Sequence, residues 1–300
     1  MERSLRFGLV GTGHWARVTH ATALASTDGV EFAAVWGRNP AAAGALAEDF
    51  GVTAHTDLGE FLADVDAVAF SVPPDVQADI GARAAAAGRH LLLEKPLAAS
   101  RVSADQLTDA ITAAGVASVV FFTFRFQTEM REWLARIRGE GTWRGGSSLW
   151  LGSVLTEEDS PFATPWRRDK GGLWDLAPHA ISVLWACLGP VAAVTAVPGQ
   201  DDLTHLVLRH DTGATSTVTV TLSAPPAADE DFEVRIWGTA GRRTAPTDLD
   251  SPVPALRTAL TELTACARSG QAHPCDARFG RDVVAVLDDA QRQLAAHPRR

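Results

Sequence analysis

The first 120 residues alternate short apolar runs with alanine-rich stretches of helical periodicity. Five runs have the length and composition of buried strands: residues 5–10, 30–36, 66–72, 90–93 and 117–121. Four predicted helices separate them, over residues 14–25, 40–50, 75–87 and 103–114. Strand and helix repetition of this kind specifies a parallel sheet covered by helices. We predict a doubly wound α/β domain over residues 1–122.

The regular alternation of strands and helices ends after residue 126, and a second domain is predicted over residues 123–300. A helix at 127–138, a strand at 147–155 and a helix ending at Leu188 precede three strand candidates at 203–209, 214–222 and 232–237. Two helices, at 254–268 and 277–296, close the chain. Consecutive strands with hairpin-like spacing favour an open, mostly antiparallel sheet, so this domain is predicted to be α+β. A length of 300 residues suits two domains.

A glycine motif, GLVGTGHWA at residues 8–16, joins the first strand to the first helix. Gly11 permits a tight turn, Gly13 lets backbone amides approach a pyrophosphate, and Ala16 allows close helix packing. The position of the motif within a βαβ pattern predicts a dinucleotide-binding Rossmann domain, with a purely structural turn as the alternative. The candidate cofactor-binding residues here are Gly11, Thr12, Gly13, His14 and Trp15.

The residues after the second strand bear on the choice of cofactor. An Asp or Glu in this region usually binds the ribose 2′-hydroxyl of NAD, whereas here the strand leads into Arg38 and Asn39. An arginine favours a 2′-phosphate, so we expect NADP(H) to be preferred over NAD(H). Two alternatives remain: Arg38 is a solvated surface charge, or Asn39 accepts the 2′-hydroxyl while Arg38 stacks on adenine.

Two further strand ends fall at the edge of a parallel sheet where ligands bind. Ser71 and Pro73 lie at the carboxyl end of the strand at 66–72, and Glu94 with Lys95 follows three leucines. All four are candidate cofactor-binding residues, with an ordinary strand terminator as the alternative for the segment at 71–74. Lys95 is notable because only two of the 27 basic residues are lysines. Its ammonium group can hydrogen-bond a substrate oxygen and stabilise developing alkoxide charge, with a solvated surface lysine as the alternative.

The motif GGLWDLAPH, residues 171–179, opens the long helix of the second half. Asp175 and His179 are four residues apart, so a helix would place them on one face, where the carboxylate could orient the imidazole. Pro178 complicates this register, because proline is accommodated only in a first turn. A buried structural histidine is the alternative.

Composition excludes several classes of protein. A formal net charge of −9 argues against nucleic-acid and anionic-membrane surfaces, which need clustered positive charge. Three scattered cysteines indicate neither a disulfide framework nor a zinc site, so we expect no metal. The first residues lack a signal-peptide core, and Gly189 with Pro190 interrupts the longest apolar stretch, so we expect a cytoplasmic protein. The sequence contains no tyrosine, which excludes a Tyr-x-x-x-Lys reductase site.

Six motifs, taken together, resemble those of the Gfo/Idh/MocA oxidoreductase family. They are the glycine motif, SVPP at 71–74, EKP at 94–96, WR at 166–167, GGLWDLAPH at 171–179 and WGTAG at 237–241. The resemblance implies a Rossmann domain, an α/β domain with an open sheet, and NAD(P)-dependent hydride transfer on sugars, cyclitols or similar small polyols. By this likeness Lys95, Asp175 and His179 are the catalytic residues, with His179 handling the proton. The candidate substrate-binding residues are Arg125, Trp166 and Arg167.

The chain also departs from the family pattern. Family members often carry a histidine where this chain has Gln77, a glycine-containing pair is commoner than Ala177 and Pro178, and the segment after Gly241 is short. Two other functions remain open: a dinucleotide-binding sensor or regulator, and a redox-neutral enzyme with tightly held NAD. A strand face made by Thr215, Thr217, Thr219 and Thr221 suggests self-association, so a homodimer or homotetramer is expected.

Overall fold

A computed structural model of the chain describes residues 3–157, 160–228, 230–247, 249 and 251–296, without the side chains of 230 and 231. Its contacts divide the chain into two compact units, Met1–Phe126 with Asp250–Asp282 and Gln127–Leu249 with Val283–Arg300. The division at 122/123 expected from sequence keeps the whole C-terminal part in the second domain. The contacts instead group residues 250–282 with the first unit, where a long helix packs on the parallel sheet.

The first unit is built on a six-stranded sheet whose described pairings are all parallel. Its strands are β1 Leu5–Val10, β2 Val30–Trp36, β3 Thr53–His55, β4 Ala67–Phe70, β5 His90–Glu94 and β6 Ser118–Phe121. The order β3-β2-β1-β4-β5-β6 is that of a Rossmann fold, and the chain reverses direction across the sheet between β1 and β4. The carboxyl ends of β2, β1, β4 and β5 therefore lie side by side.

The helices of this unit follow the strands. A π-helical segment, Ala16–Ala21, continues into α1 Thr22–Ser26, and the later helices are α2 Pro40–Phe50, α3 Leu58–Ala63, α4 Pro74–Ala86, α5 Arg101–Ala114 and α6 Thr123–Phe126. Strands β1, β4, β5 and β6 are almost entirely buried, because helices cover a parallel sheet on both faces. The sequence pattern missed β3 and α3, which are too short to show a clear period.

The second unit is built on a mixed six-stranded sheet. Its elements are α7 Thr128–Ile137, β7 Trp143–Leu151, α8 Pro165–Asp175, α9 Ala177–Leu188, β8 Val191–Pro198, β9 Thr204–His210, β10 Thr215–Thr221, β11 Glu230–Gly238 and β12 Gly241–Thr244. The sheet order is β12-β11-β7-β10-β9-β8. All described pairings are antiparallel except β7 with β10. The predicted fold class, an α/β Rossmann domain plus an α+β domain on an open, mostly antiparallel sheet, is confirmed.

The two faces of the second sheet differ in burial. Val218 and Val220 are fully buried on the face that α9 covers. The opposite face carries Thr217 and the half-exposed Val207, as the alternation predicted. Thr221, at the end of the same strand, differs from Thr217 in being buried, and its hydroxyl group donates to Asp202.

Two C-terminal helices complete the chain, α10 Pro252–Ser269 and α11 Ala277–Ala296. Helix α10 packs against α1, β5, β6 and α6 of the first unit. The three cysteines are free thiols. Within the part of the chain that the structure describes, no helix is long and apolar enough to cross a membrane.

Candidate active site

The glycine turn lies directly after β1, at the centre of the first sheet. Gly11 has a φ of +126°, and a Cβ there would lie 2.3 Å from the carbonyl oxygen of Ser71, so only glycine fits. Its amide donates to the carbonyl oxygen of Trp36, which ties the turn to the end of β2. A Cβ on Gly13 would meet nothing within 4 Å, and both Gly13 and His14 are exposed. The turn thus leaves open space for a phosphate group above the start of a helix, as a dinucleotide requires.

The end of β2 presents Arg38 and Asn39 to solvent. The side-chain oxygen of Asn39 accepts hydrogen bonds from the amides of Ala41 and Ala42, at 3.0 and 3.2 Å, and so caps helix α2. These two hydrogen bonds occupy the oxygen that, in one alternative considered from the sequence, would accept a hydrogen bond from the ribose 2′-hydroxyl group. The Arg38 side chain is exposed at the same strand end.

Lys95 lies in the turn after β5, and it is partly exposed. The Lys95–Pro96 peptide bond is cis. The carboxylate of Glu94 points back toward the glycine turn, where its Oε1 accepts from Trp15 Nε1 at 2.8 Å and lies 2.9 Å from His20 Nε2. Its Oε2 accepts from the amide of Lys95 at 3.1 Å. Glu94 and Trp15, both predicted to bind cofactor, are therefore bonded to each other.

The same turn is held from the other side by Gln77, whose side chain is fully buried. Its amide nitrogen donates to the carbonyl oxygens of Glu94 at 2.8 Å and Leu97 at 3.1 Å, and its oxygen accepts from the Glu94 amide at 2.7 Å. The sequence interpretation treated Gln77 only as a departure from a family pattern. The sequence signal that could have identified Gln77 is a polar residue on the otherwise apolar, buried face of α4, the helix beside β5.

Two other predicted residues of the first unit are placed by local packing. Arg125, in α6, lies over the ring of Phe279 with its guanidinium carbon 5.8 Å from the ring centroid. Pro73 precedes α4, whose first residue is also a proline, so no backbone N–H is lost there.

In the second unit, helix α8 is kinked at Gly171, where φ is +62° and ψ is −167°. A Cβ at this position would lie 2.9 Å from the Cβ of Asp202. The Asp202 carboxylate accepts from the amides of Gly172 and Leu222, at 2.7 and 2.8 Å, and from the Thr221 hydroxyl. Burial alone would raise the pKa of Asp202, but these hydrogen bonds outweigh it and lower the pKa below the ordinary value. Asp202 thus fixes the start of the segment that carries Asp175.

Asp175 and His179 are both about 6% exposed, and they fall on either side of Leu176, where α8 ends and α9 begins. Pro178 lies in the first turn of α9, so the break occurs where a proline can be accommodated. Asp175 Oδ2 accepts from Arg167 Nε at 2.7 Å, and Arg167 Nη1 donates to the carbonyl oxygen of Phe162 at 3.2 Å. The structure thus brings two predicted residues, Asp175 and Arg167, into an ion pair.

Aromatic rings line this part of the second unit. The imidazole of His179 lies 5.8 Å from the ring of Trp150, which in turn lies 5.4 Å from Phe232. The Arg167 guanidinium lies over the rings of Phe162 and Trp166. Sequence reasoning missed Trp150 and Phe232, because their strands pair only in the folded sheet.

Comparison with known proteins matches a family model to each of the two units. The family model described as "Oxidoreductase family, NAD-binding Rossmann fold" (GFO_IDH_MocA) matches residues 5–122, and that of the GFO/IDH/MocA C-terminal domain matches residues 141–244. D-xylose 1-dehydrogenase (NADP(+)) 2 of Haloferax volcanii is 28% identical over 98% of this chain and 88% of its own length. Inositol 2-dehydrogenase of Rhizobium meliloti is 41% identical over 95 residues, 31% of this chain and 28% of that protein.

Solved structures share the fold over nearly the whole chain. Levoglucosan dehydrogenase in complex with NADH and levoglucosan has a TM-score of 0.86 at 20% identity, covering 98% of each chain. GenD2 from gentamicin A biosynthesis, in complex with NAD, has a TM-score of 0.85 at 23% identity, covering 99% of this chain and 96% of that one.

Proposed function

Because this chain belongs to the Gfo/Idh/MocA family of NAD(P)-dependent oxidoreductases, we propose that it transfers a hydride between the nicotinamide cofactor and a hydroxyl or ketone group of a sugar, cyclitol or similar small polyol. The observation that carries this proposal is the turn after β5. It offers the partly exposed Lys95 at the carboxyl edge of the sheet, two strands from the glycine turn. An ammonium group held there can bind the substrate oxygen beside a nicotinamide.

Three side chains carry the proposed chemistry. Lys95 donates a hydrogen bond to the substrate oxygen and stabilises the negative charge that develops on it. His179 takes the hydroxyl proton during oxidation and returns it during reduction. Asp175, held in an ion pair with Arg167, supplies a fixed negative charge near the start of the helix that carries His179. The bound cofactor supplies the hydride acceptor or donor at nicotinamide C4.

The residues present fit a dinucleotide. The space beside Gly13 and the exposed start of the following helix suit a pyrophosphate group. We assign Thr12, His14, Trp15, Ser71 and Pro73 to the rim of this cofactor site.

Arg38 supports a preference for NADP(H), because its exposed guanidinium can bind a 2′-phosphate and the first turn of α2 contains no acidic residue. The Haloferax volcanii relative carries NADP(+) in its name, whereas the two structural neighbours were solved with NADH and NAD. The chemistry at Arg38 therefore supports the choice of cofactor more directly than the relatives do.

The substrate class follows from the polar and aromatic groups of each unit. Arg125, Trp166 and Arg167 are the proposed substrate-binding residues. Within the described residues, the indole Nε1 of Trp166 is buried without a hydrogen-bond partner, and so it can donate to a substrate hydroxyl group. Relatives named for inositol, D-xylose and levoglucosan support a polyol substrate.

The open face of the second sheet supports a homodimer or homotetramer. Val197, Val207 and Trp237 are 53%, 49% and 44% exposed, a large share for apolar side chains. The sheet pairing sets Thr195 beside Val207 and Val207 beside Thr217 in one row across the strands. A flat face of threonine and valine can pair with a copy of itself.

The test is turnover with myo-inositol, D-xylose and levoglucosan, each with NADP⁺ and NAD⁺, followed by absorbance at 340 nm. We expect stoichiometric reduction of the cofactor with at least one polyol. A product that forms while cofactor is neither consumed nor released would instead identify a redox-neutral enzyme. Tight nucleotide binding without turnover of a wide panel of sugars and keto-sugars would identify a sensor.

A further inference from the structure

Gln77 is a fully buried polar side chain on α4 that the proposed chemistry does not use. Its amide group lies within hydrogen-bond distance of the backbone at both ends of the turn after β5. The nitrogen is 2.8 Å from the Glu94 carbonyl oxygen, 3.1 Å from that of Leu97 and 3.4 Å from that of Pro96. The oxygen accepts from the Glu94 amide at 2.7 Å.

The backbone of this turn needs such a partner. The carbonyl groups of Glu94, Pro96 and Leu97 converge on one point in the buried interior, where leaving them without a donor costs free energy. A primary amide satisfies the site because its two N–H groups point toward carbonyl oxygens while its own oxygen receives a backbone N–H. An apolar side chain of the same size would satisfy none of these groups.

The turn is anchored a second time through the carboxylate of Glu94. Trp15 and His20, on the helical segment after the glycine turn, contact its Oε1, and the Lys95 amide donates to its Oε2. His20 is fully buried. The backbone on both sides of Lys95 is thus fixed by side chains from two different helical segments, one of which carries the candidate cofactor site.

We propose that Gln77 is a positioning residue, whose side-chain amide fixes the backbone of residues 94–97 and thereby places the Lys95 ammonium group for its work on the substrate oxygen. This inference rests on the proposed role of Lys95. A displacement of about 1 Å at a reacting group can lower a rate by about a hundredfold. Gln77 therefore acts on catalysis without contacting the substrate.

The test uses Gln77→Glu, which keeps the shape of the side chain but sets a carboxylate oxygen against the three carbonyl oxygens. Gln77→Met, which removes the hydrogen bonds without adding charge, is the second variant if the first does not fold. Thr108→Val is the matched control. It removes a buried hydrogen bond of the same unit, from Thr108 Oγ1 to the Ala104 carbonyl oxygen at 2.8 Å, and this bond does not involve the lysine turn, residues 94–97.

Each Gln77 variant is made alone and together with Lys95→Met. We expect Gln77→Glu to lower kcat by about tenfold to a hundredfold with little change in nucleotide affinity. In the Lys95→Met background the same change should have almost no further effect, because a residue that acts through Lys95 cannot act once the ammonium group is gone. Thr108→Val should lower the unfolding temperature and leave kcat unchanged.

An equal loss of kcat in both backgrounds, or no loss in either, overturns the proposal. If Lys95→Met keeps the wild-type kcat, the proposed role of the lysine is refuted, and the positioning role of Gln77 falls with it. If Lys95→Met loses activity but the Gln77 variants do not, only the positioning role is refuted. If none of the polyols is turned over, crystal structures of the variants decide. A shift of the 94–97 backbone in Gln77→Glu but not in Thr108→Val supports the proposal, and an unmoved backbone overturns it.

Discussion

The Nε atom of Arg167 lies 2.7 Å from Oδ2 of Asp175, so the carboxylate expected to orient His179 is itself held in an ion pair. Asp175 is almost fully buried, whereas the Arg167 side chain is 24% exposed. Breaking such a pair from the arginine side leaves a buried charge without its cation, which is more costly than losing the attraction alone.

We therefore expect Arg167→Leu to lower the free energy of unfolding by about 2 kcal/mol. In an Asp175→Asn background the same change should cost clearly less, because a neutral amide does not need the cation. Urea unfolding of the two single variants and the double variant measures this difference. Arg168→Leu, at the exposed neighbouring position, is the control; an equal loss at both arginines would refute the ion-pair interpretation.

Lys95→Met should leave nucleotide affinity nearly intact and lower the rate of hydride transfer by about a hundredfold or more, because a preorganised charge stabiliser is lost. Stopped-flow absorbance at 340 nm gives the rate, and calorimetry gives the affinity. Lys170→Met removes the only other lysine of the sequence and should leave both unchanged. Unchanged turnover in Lys95→Met would exclude the proposed role.

His179→Asn should flatten the pH dependence of kcat between about pH 6 and 8, where histidine side chains ordinarily titrate. Asp175→Asn should keep the shape of the profile and lower kcat less. His205→Asn, at an exposed position of the open sheet face, should behave as wild type. A wild-type profile in His179→Asn would assign the proton to another group or to solvent.

Arg38→Ala should weaken NADP(H) binding by about tenfold or more while leaving NAD(H) binding nearly unchanged, because paired charge-assisted hydrogen bonds to the 2′-phosphate are lost. Dissociation constants for both cofactors in wild type and variant measure the selectivity. The control is Arg83→Ala, exposed in the last turn of α4. Equal affinities in wild type would remove Arg38 from this role.

Val207→Glu should convert the proposed dimer or tetramer into monomers, because it places two like charges near the centre of a self-pairing face. Multi-angle light scattering at micromolar concentration measures the mass. Val102→Glu introduces the same side chain at a 65% exposed site on α5 and should leave the assembly intact. A wild-type monomer under these conditions would rule out the association.

The sequence by itself determined the architecture and the strand ends where candidate residues lie. Strand and helix periods persist over many residues, so they predicted the Rossmann sheet and helices such as α2 almost to the residue. The glycine turn was predicted from its local motif, and the structure supplies the reason for Gly11, where φ is positive and a Cβ would meet the carbonyl oxygen of Ser71 at the end of the neighbouring strand. Short elements such as β3 and β12 carry too few residues to show a period.

Only the tertiary structure decided which side chains meet. The four contacts of Gln77 with the lysine turn join residues about 17 to 20 positions apart. The bond from Trp15 to Glu94 spans 79 positions. The contact of Trp150 with His179 likewise depends on how β7 packs against α9. The conformational propensities of neighbouring residues predict the secondary structure of one segment, whereas such contacts depend on how separate segments pack. Packing therefore selected the partners of Lys95, Asp175 and His179.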